Sequence, residues 1–204
     1  MTLTHAEFKA ISENICPNGQ AFIDGKFCDA ADGEKFETIN PATGEVLAEI
    51  AHCKVADVDR AVAAARRVFN AGTWSRAEPE ERKEVLLKVS ALVREHTHEL
   101  AVLESLDTGK TINDCMDEIG GEVANFFQWY AELADKSFGK IAPTGPGALA
   151  MIVKEPAGVA GAVLPWNFPL VMAAWKIAPS LSVGCSAVIK PAEQTPLSTI
   201  RLAE

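Results

Sequence analysis

VAGAVLPWNFPLVMAAWKIAPSLSVGCSAVIK, Val159 to Lys190, decides the fold. Val159 to Leu164 is a wholly apolar run of strand length, and Ser186 to Ile189 is a second. Between them Phe168 to Val183 has the length and apolarity of a buried helix, and Gly184 fits its C-terminal cap. Strand, helix, strand in this order is one βαβ unit. Strands apolar on both faces belong in a parallel sheet covered by helices. A membrane span is a poor fit, because Pro165, Asn167, Pro169, Lys176 and Pro179 all interrupt the run. The fold class is therefore α/β, with a Rossmann-like parallel sheet. From Pro156 to Ile189 the only charged residue is Lys176. Within that run Asn167 sits between Trp166 and Phe168, flanked by Pro165 and Pro169. An amide in an apolar setting costs free energy without a partner. Either the turn's own backbone satisfies Asn167 or a ligand does.

Upstream, short strands come first. AFIDGKFC carries the Asp24-Gly25 hairpin signal, and KFETIN and EVLAEIA flank the turn cluster Asn40 to Gly44. Helices follow. Asp57 to Phe69 puts Val58, Ala61, Val62, Ala65 and Phe69 on one face. A second helix starts near Pro79 with Val85, Val89, Leu92 and Val93 inward. It breaks near Thr97, continues through Leu100 and Leu103, and stops at Gly109. A third covers Asn113 to Lys136, burying Met116, Ile119, Val123, Phe126, Phe127 and Tyr130. Gly139 to Ala148 reads as a linker, Leu149 to Lys154 as a strand, and Thr195-Pro196 as a helix start. Three divisions result: residues 1–138 (strands and helices), 139–157 (arm or linker) and 158–204 (start of the parallel core). The new helix is barely open at Glu204, so the sheet reads as cut short.

The chain has 204 residues, 48% apolar and 23% charged, enough for a real core. A net charge of −9 argues against nucleic acid and anionic membrane as partners. Cys16, Cys28, Cys53, Cys115 and Cys185 are scattered and odd in number. That fits a reducing compartment, the cytoplasm, better than a disulfide framework. MTLTHAEFKA lacks the apolar core of a signal peptide.

A ligand belongs at the carboxyl end of such a sheet. The dinucleotide fingerprint G-x-G-x-x-G is absent from the turn after the first strand. After the second strand come Lys190 and Glu193, where a nucleotide ribose would lie. The same residues also read as a solvated pair at a helix entrance, with Thr195 as the cap.

PWNFP followed by WK, then GC-x-x-x-x-KP-x-EQTP, resembles the aldehyde dehydrogenase superfamily. FIDGKF, INPATGEVLAEIA, DVDRAVAAARRVF, LESLDTGK and the EPAGV turn agree in kind and order. The chain is most similar to bacterial members acting on γ-glutamyl-γ-aminobutyraldehyde and related aminoaldehydes. The resemblance implies that Asn167 donates its side-chain N–H to the aldehyde oxygen as charge develops there. One pre-aimed donor in a dry site stabilises that charge by about 3 kcal/mol. It further implies that Leu164, Pro165, Trp166 and Asn167 line the nicotinamide side of the cofactor cleft, and that Lys190 and Glu193 bind the adenosine ribose. Phe168, Val171, Met172 and Trp175 would border the aldehyde tunnel, although they read equally as helix core. Lys176 resembles a proton-handling lysine, and Thr38, Asp107 and Gln194 resemble a monovalent cation site built from carbonyl oxygens. Leu149 to Lys154 resembles a β-arm for oligomerisation, in a homodimer or homotetramer. NAD is expected as the cofactor ahead of NADP, because an acid at the ribose repels a 2′-phosphate.

By the same resemblance, the catalytic cysteine and glutamate fall beyond Glu204. Cys185 is no substitute. It follows a helix C-terminus, whose negative end does not activate a thiol, and no histidine shares its segment. The expected protein is thus the N-terminal part of an NAD-dependent aldehyde dehydrogenase. Two rivals are a non-catalytic nucleotide-binding or oligomerising module, and a relative that makes acyl-CoA or takes a phosphorylated substrate.

Overall fold

The computed structural model describes residues 3–204. Helix α1 (His5–Asn14) opens it. Glu7 N–H donates to Thr4 Oγ1 at 3.4 Å and Thr4 N–H donates to the Glu7 carboxylate at 2.7 Å, a reciprocal capping box. Strands β1 (Ala21–Ile23) and β2 (Lys26–Cys28) form the expected hairpin, with Asp24 and Gly25 both at positive φ. Strands β3 (Lys35–Ile39) and β4 (Val46–Ala51) pair antiparallel, with an irregularity between Thr38 and Ile39.

Helix α2 (Val55–Ala71) carries Asp57 in its first turn, whose buried carboxylate accepts the N–H groups of Lys54 and Ala31. Its buried side differs from the sequence expectation. Val58 and Val62 are exposed, whereas Ala64 is buried. The helix lies against the parallel strands on its alanine side, and the small side chains allow that approach. Helix α3 (Pro79–Glu95) buries Leu86, Ser90 and Val93, leaving Val85 and Leu92 exposed. Helix α4 (Thr97–Thr108) follows a break at His96 and ends on Gly109, at φ 76°. Helices α5 (Ile112–Asp117) and α6 (Ala124–Leu133) are joined by a π-helical turn, Glu118–Val123, inside what the sequence reads as one helix. Ile119, Val123 and Phe127 point inward as expected.

Strands β5 (Lys140–Ala142) and β6 (Ala150–Ile152) form an antiparallel hairpin, of which the sequence reading has only the second strand. Strand β7 (Val159–Val163), helix α7 (Pro169–Ser182) and strand β8 (Ser186–Lys190) make the expected βαβ unit. The strands pair parallel, from Val159 opposite Ser186 to Val163 opposite Lys190. Helix α8 (Leu197–Leu202) closes the described chain. The main core joins α3, α6 and α7 through Leu86, Val93, Phe127, Leu170 and Ala174. Full burial of β7 on both faces is not observed: Val163 is 78% exposed. Among the described residues each strand of the parallel pair has one unpaired edge.

Candidate active site

The parallel register brings both strand ends to one edge. Leu164, buried just past β7, donates its N–H to the Lys190 carbonyl at 3.0 Å. From there the chain turns through Pro165, Trp166 and Asn167 into α7. Phe168 precedes the helix with a non-helical backbone, and Pro169 fits its first turn because no N–H is needed there. The opening inference about a buried amide does not hold. Asn167 lies at the surface, and among the described residues its side chain has no hydrogen-bond partner. The apolarity belongs to the flanking strand and helix rather than to the turn.

The turn is fixed from outside. Thr195 Oγ1 donates to the Trp166 carbonyl at 3.2 Å, so this hydroxyl ties the two strand ends together instead of capping α8. Lys110 Nζ lies 3.7 Å from the centre of the Phe168 ring, on its face, while Glu118 holds the ammonium at 2.6 and 2.9 Å. Glu104 Oε2 accepts the Leu170 N–H at 3.3 Å and the Ser198 hydroxyl at 2.8 Å. One turn along α4, Asp107 Oδ2 accepts the Leu197 N–H at 2.9 Å and Oδ1 accepts the Thr38 hydroxyl at 2.8 Å. Two buried acids of α4 therefore cap α7 and α8, where orphan N–H groups need acceptors. Burial pushes Glu104 up to about 7 against the pull of Ser198, Lys110 and Leu170 N–H. It pushes Asp107 up to about 6 against Leu197 N–H and Thr38. Sequence reasoning missed Glu104, although Leu100, Leu103, Glu104 and Asp107 share one helical stripe.

At the β8 end, Lys190 and Glu193 form an exposed ion pair. The Lys190 hydrogen bond holds the Glu193 carboxyl below its ordinary range. Of the residues read as tunnel, Val171 is buried in the core and Met172 packs partly against it. Phe168 and Trp175 are 41% and 46% exposed, and Trp175 meets Phe126 edge to face. Lys176 is exposed and lines a cleft of about 360 Å³ with Trp175, Gly161 and Ser180. It lies seven residues along α7 from Pro169, roughly 10 Å of helix rise, so it is not brought beside Asn167. Thr38 and Asp107 are brought together; Gln194 is exposed and near them only through its place before α8. Among the described residues no group of three or more His, Cys, Asp or Glu gathers to hold a metal. Cys185 is buried, and burial pushes the Cys115 thiol up to about 12.

The parallel βαβ unit thus brings the exposed Asn167 turn and the Lys190–Glu193 pair to one carboxyl edge of an α/β fold. The aldehyde dehydrogenase family model matches residues 27–204, and the chain belongs to that family. It is 52% identical over 202 residues to an aminoacetaldehyde dehydrogenase of Pseudomonas aeruginosa, covering 99% of this chain and 41% of the relative. The structure of a γ-glutamyl-γ-aminobutyraldehyde dehydrogenase from Burkholderia cenocepacia superposes with a TM-score of 0.96 at 46% identity, covering 98% of this chain and 41% of that one. A mutant P. syringae indole-3-acetaldehyde dehydrogenase in complex with NAD+ and IAA gives a TM-score of 0.97 at 42% identity, covering 99% and 41%. The chain thus spans about two fifths of the length of the relatives it matches.

Proposed function

We propose that this chain forms the N-terminal part of an NAD-dependent aldehyde dehydrogenase that oxidises an aldehyde to a carboxylate. One observation carries the reading. The register of β7 on β8 sets the Asn167 turn and the Lys190–Glu193 pair on one edge, and Thr195 ties them together. The residues fit one part of a dinucleotide. Glu193, ionised beside Lys190, suits the ribose hydroxyls, and exposed Pro165 and Trp166 suit the nicotinamide side. No G-x-G-x-x-G loop follows β7, so the pyrophosphate finds no glycine cradle there. When bound, NAD supplies the hydride acceptor.

Asn167 then acts on the aldehyde oxygen. A thiolate adds to the carbonyl carbon, the oxygen gains negative charge, and the side-chain N–H of Asn167 donates to it. The thiolate and the base that later activates water come from outside these residues. Phe168, Met172 and Trp175 would flank the aldehyde, with Val171 supporting them from the core. Lys176, away from the turn, would handle protons only along a longer path. The Thr38–Asp107 contact, with Gln194 nearby, would border a monovalent cation held by carbonyl oxygens.

Residues 1–138 and 158–204 would build the cofactor domain, and 139–157 the oligomerisation arm of a homodimer or homotetramer. The exposure of Ile141, Leu149, Met151 and Ile152 on the β5–β6 hairpin supports the arm. A cytoplasmic location agrees with five free thiols. No helix among the described residues is long and apolar enough to cross a membrane. Aminoaldehydes are the substrate class to try first, given the relatives' names. The test is NADH production by the complete enzyme with aminoaldehydes, compared with NADPH production from NADP. The expected result is turnover with a higher kcat/KM for NAD. Equal efficiency removes the role of Glu193. No turnover with any aldehyde favours a non-catalytic nucleotide-binding or oligomerising module.

A further inference from the structure

Phe168 stands next to Asn167, so the position of its ring and the aim of the amide are coupled through one peptide unit. Yet Phe168 is 41% exposed, and the core does not lock it. What holds the ring is Lys110, whose ammonium lies on its face at 3.7 Å. Lys110 is itself unusually constrained. Its carbonyl accepts the Ser105 hydroxyl at 2.7 Å and its N–H donates to Thr108 Oγ1 at 3.2 Å. Glu118 takes the ammonium with both carboxylate oxygens, and the pair is largely buried, with side chains 20% and 13% exposed. Ordering a lysine side chain costs rotamer entropy. A lysine that merely kept the surface soluble would stay free.

We propose that Lys110, clamped by Glu118 and laid on the Phe168 ring, is a positioning residue that fixes the aim of the Asn167 amide. The proposal rests on the aldehyde dehydrogenase reading. Among the described residues Lys110 makes no hydrogen bond to the turn's backbone; it acts through Phe168. A bland alternative is a staple between the end of α4 and the π-helical turn. Such a staple would affect stability without selecting the chemical step.

The test uses the complete enzyme and three variants. Lys110→Met removes the cation but strands the Glu118 carboxylate. The double variant Lys110→Met/Glu118→Gln removes both charges and keeps the shapes. Lys110→Arg keeps a cation able to lie on a ring and to bind a carboxylate. With saturating NAD, the double variant should lose about tenfold in kcat, with the KM for NAD within twofold. Amide exchange at Leu170 and Met172, whose N–H groups bond Glu104 and the Phe168 carbonyl just after the turn, should rise severalfold while α3 exchanges as before. Lys110→Arg should recover most of kcat. Wild-type kcat and wild-type exchange at Leu170 and Met172 in the folded double variant overturn the proposal. So does a loss explained wholly by a lower Tm, or one that Lys110→Arg does not rescue. If the wild-type enzyme oxidises no aldehyde, the functional reading fails by itself, and exchange at Leu170 and Met172 still decides whether Lys110 holds the turn.

Discussion

Asn167 combines a turn held from outside with a side chain free of hydrogen-bond partners among the described residues. A donor meant for charge that appears only during reaction has that character. If its N–H were satisfied in the resting protein, that bond would have to break first. In the complete enzyme, Asn167→Ala should lower kcat by about 10²-fold while NAD affinity stays within a few-fold, read from steady-state rates and cofactor titration. Unchanged turnover, with hydride transfer or an earlier step limiting, would leave Asn167 a turn residue only. The proposed role comes from PWNFP as a motif. The environment was not: counting apolar neighbours in sequence suggested burial, but strand and helix bury their own faces and leave the turn outside. Lys110 was illegible for a related reason, since its partners Glu118 and Phe168 are 8 and 58 positions away and only tertiary packing joins them.

At the scale of elements, α4 organises the site without entering it. Its stripe Leu100, Leu103, Glu104, Asp107 is buried, and the two acids cap the helices that follow each parallel strand. Burying these carboxylates has a pH signature. Glu104 titrates near 7 folded and near 4.5 unfolded, so the folded state binds more protons between those values. Its stabilising contribution is complete below about 4.5 and is lost as pH rises towards 7, with a limiting slope of about 1.4 kcal/mol per pH unit. Glu104→Gln removes that dependence. The Tm of the variant minus that of the wild type should therefore rise from pH 5 to pH 7.5. A difference flat across that range would mean that Glu104 is ionised throughout. Elements with local signals were readable from sequence: the Asp24-Gly25 hairpin, the Gly109 stop and the βαβ unit. Helix α1 was missed: Thr4 to Glu7 has capping-box spacing, but its weakly apolar face hid it. The short strand β5 carries no signal of its own and exists through its pairing with β6.

Across the whole molecule, the apolar surface is unevenly covered. Val163 at the end of β7, and Ile141, Leu149, Met151 and Val153 on or beside the hairpin, are all exposed. Surfaces of this kind call for covering protein, and alone they favour association. The fold class was legible because two apolar strands around an apolar helix admit few arrangements. The cover on β7 was overestimated, because a strand's composition tells what it can bury and not what is there to bury it. The proposed division of labour gives this chain an oxyanion donor and part of a cofactor cleft, with the nucleophile supplied from outside it. Its most direct test is to express residues 1–204 alone and follow NADH absorbance with several aldehydes. No NADH should form, because Asn167 can only stabilise charge that a nucleophile creates, and the buried thiols of Cys115 and Cys185 are not placed to attack. Steady NADH production that disappears in Cys185→Ser would contradict it.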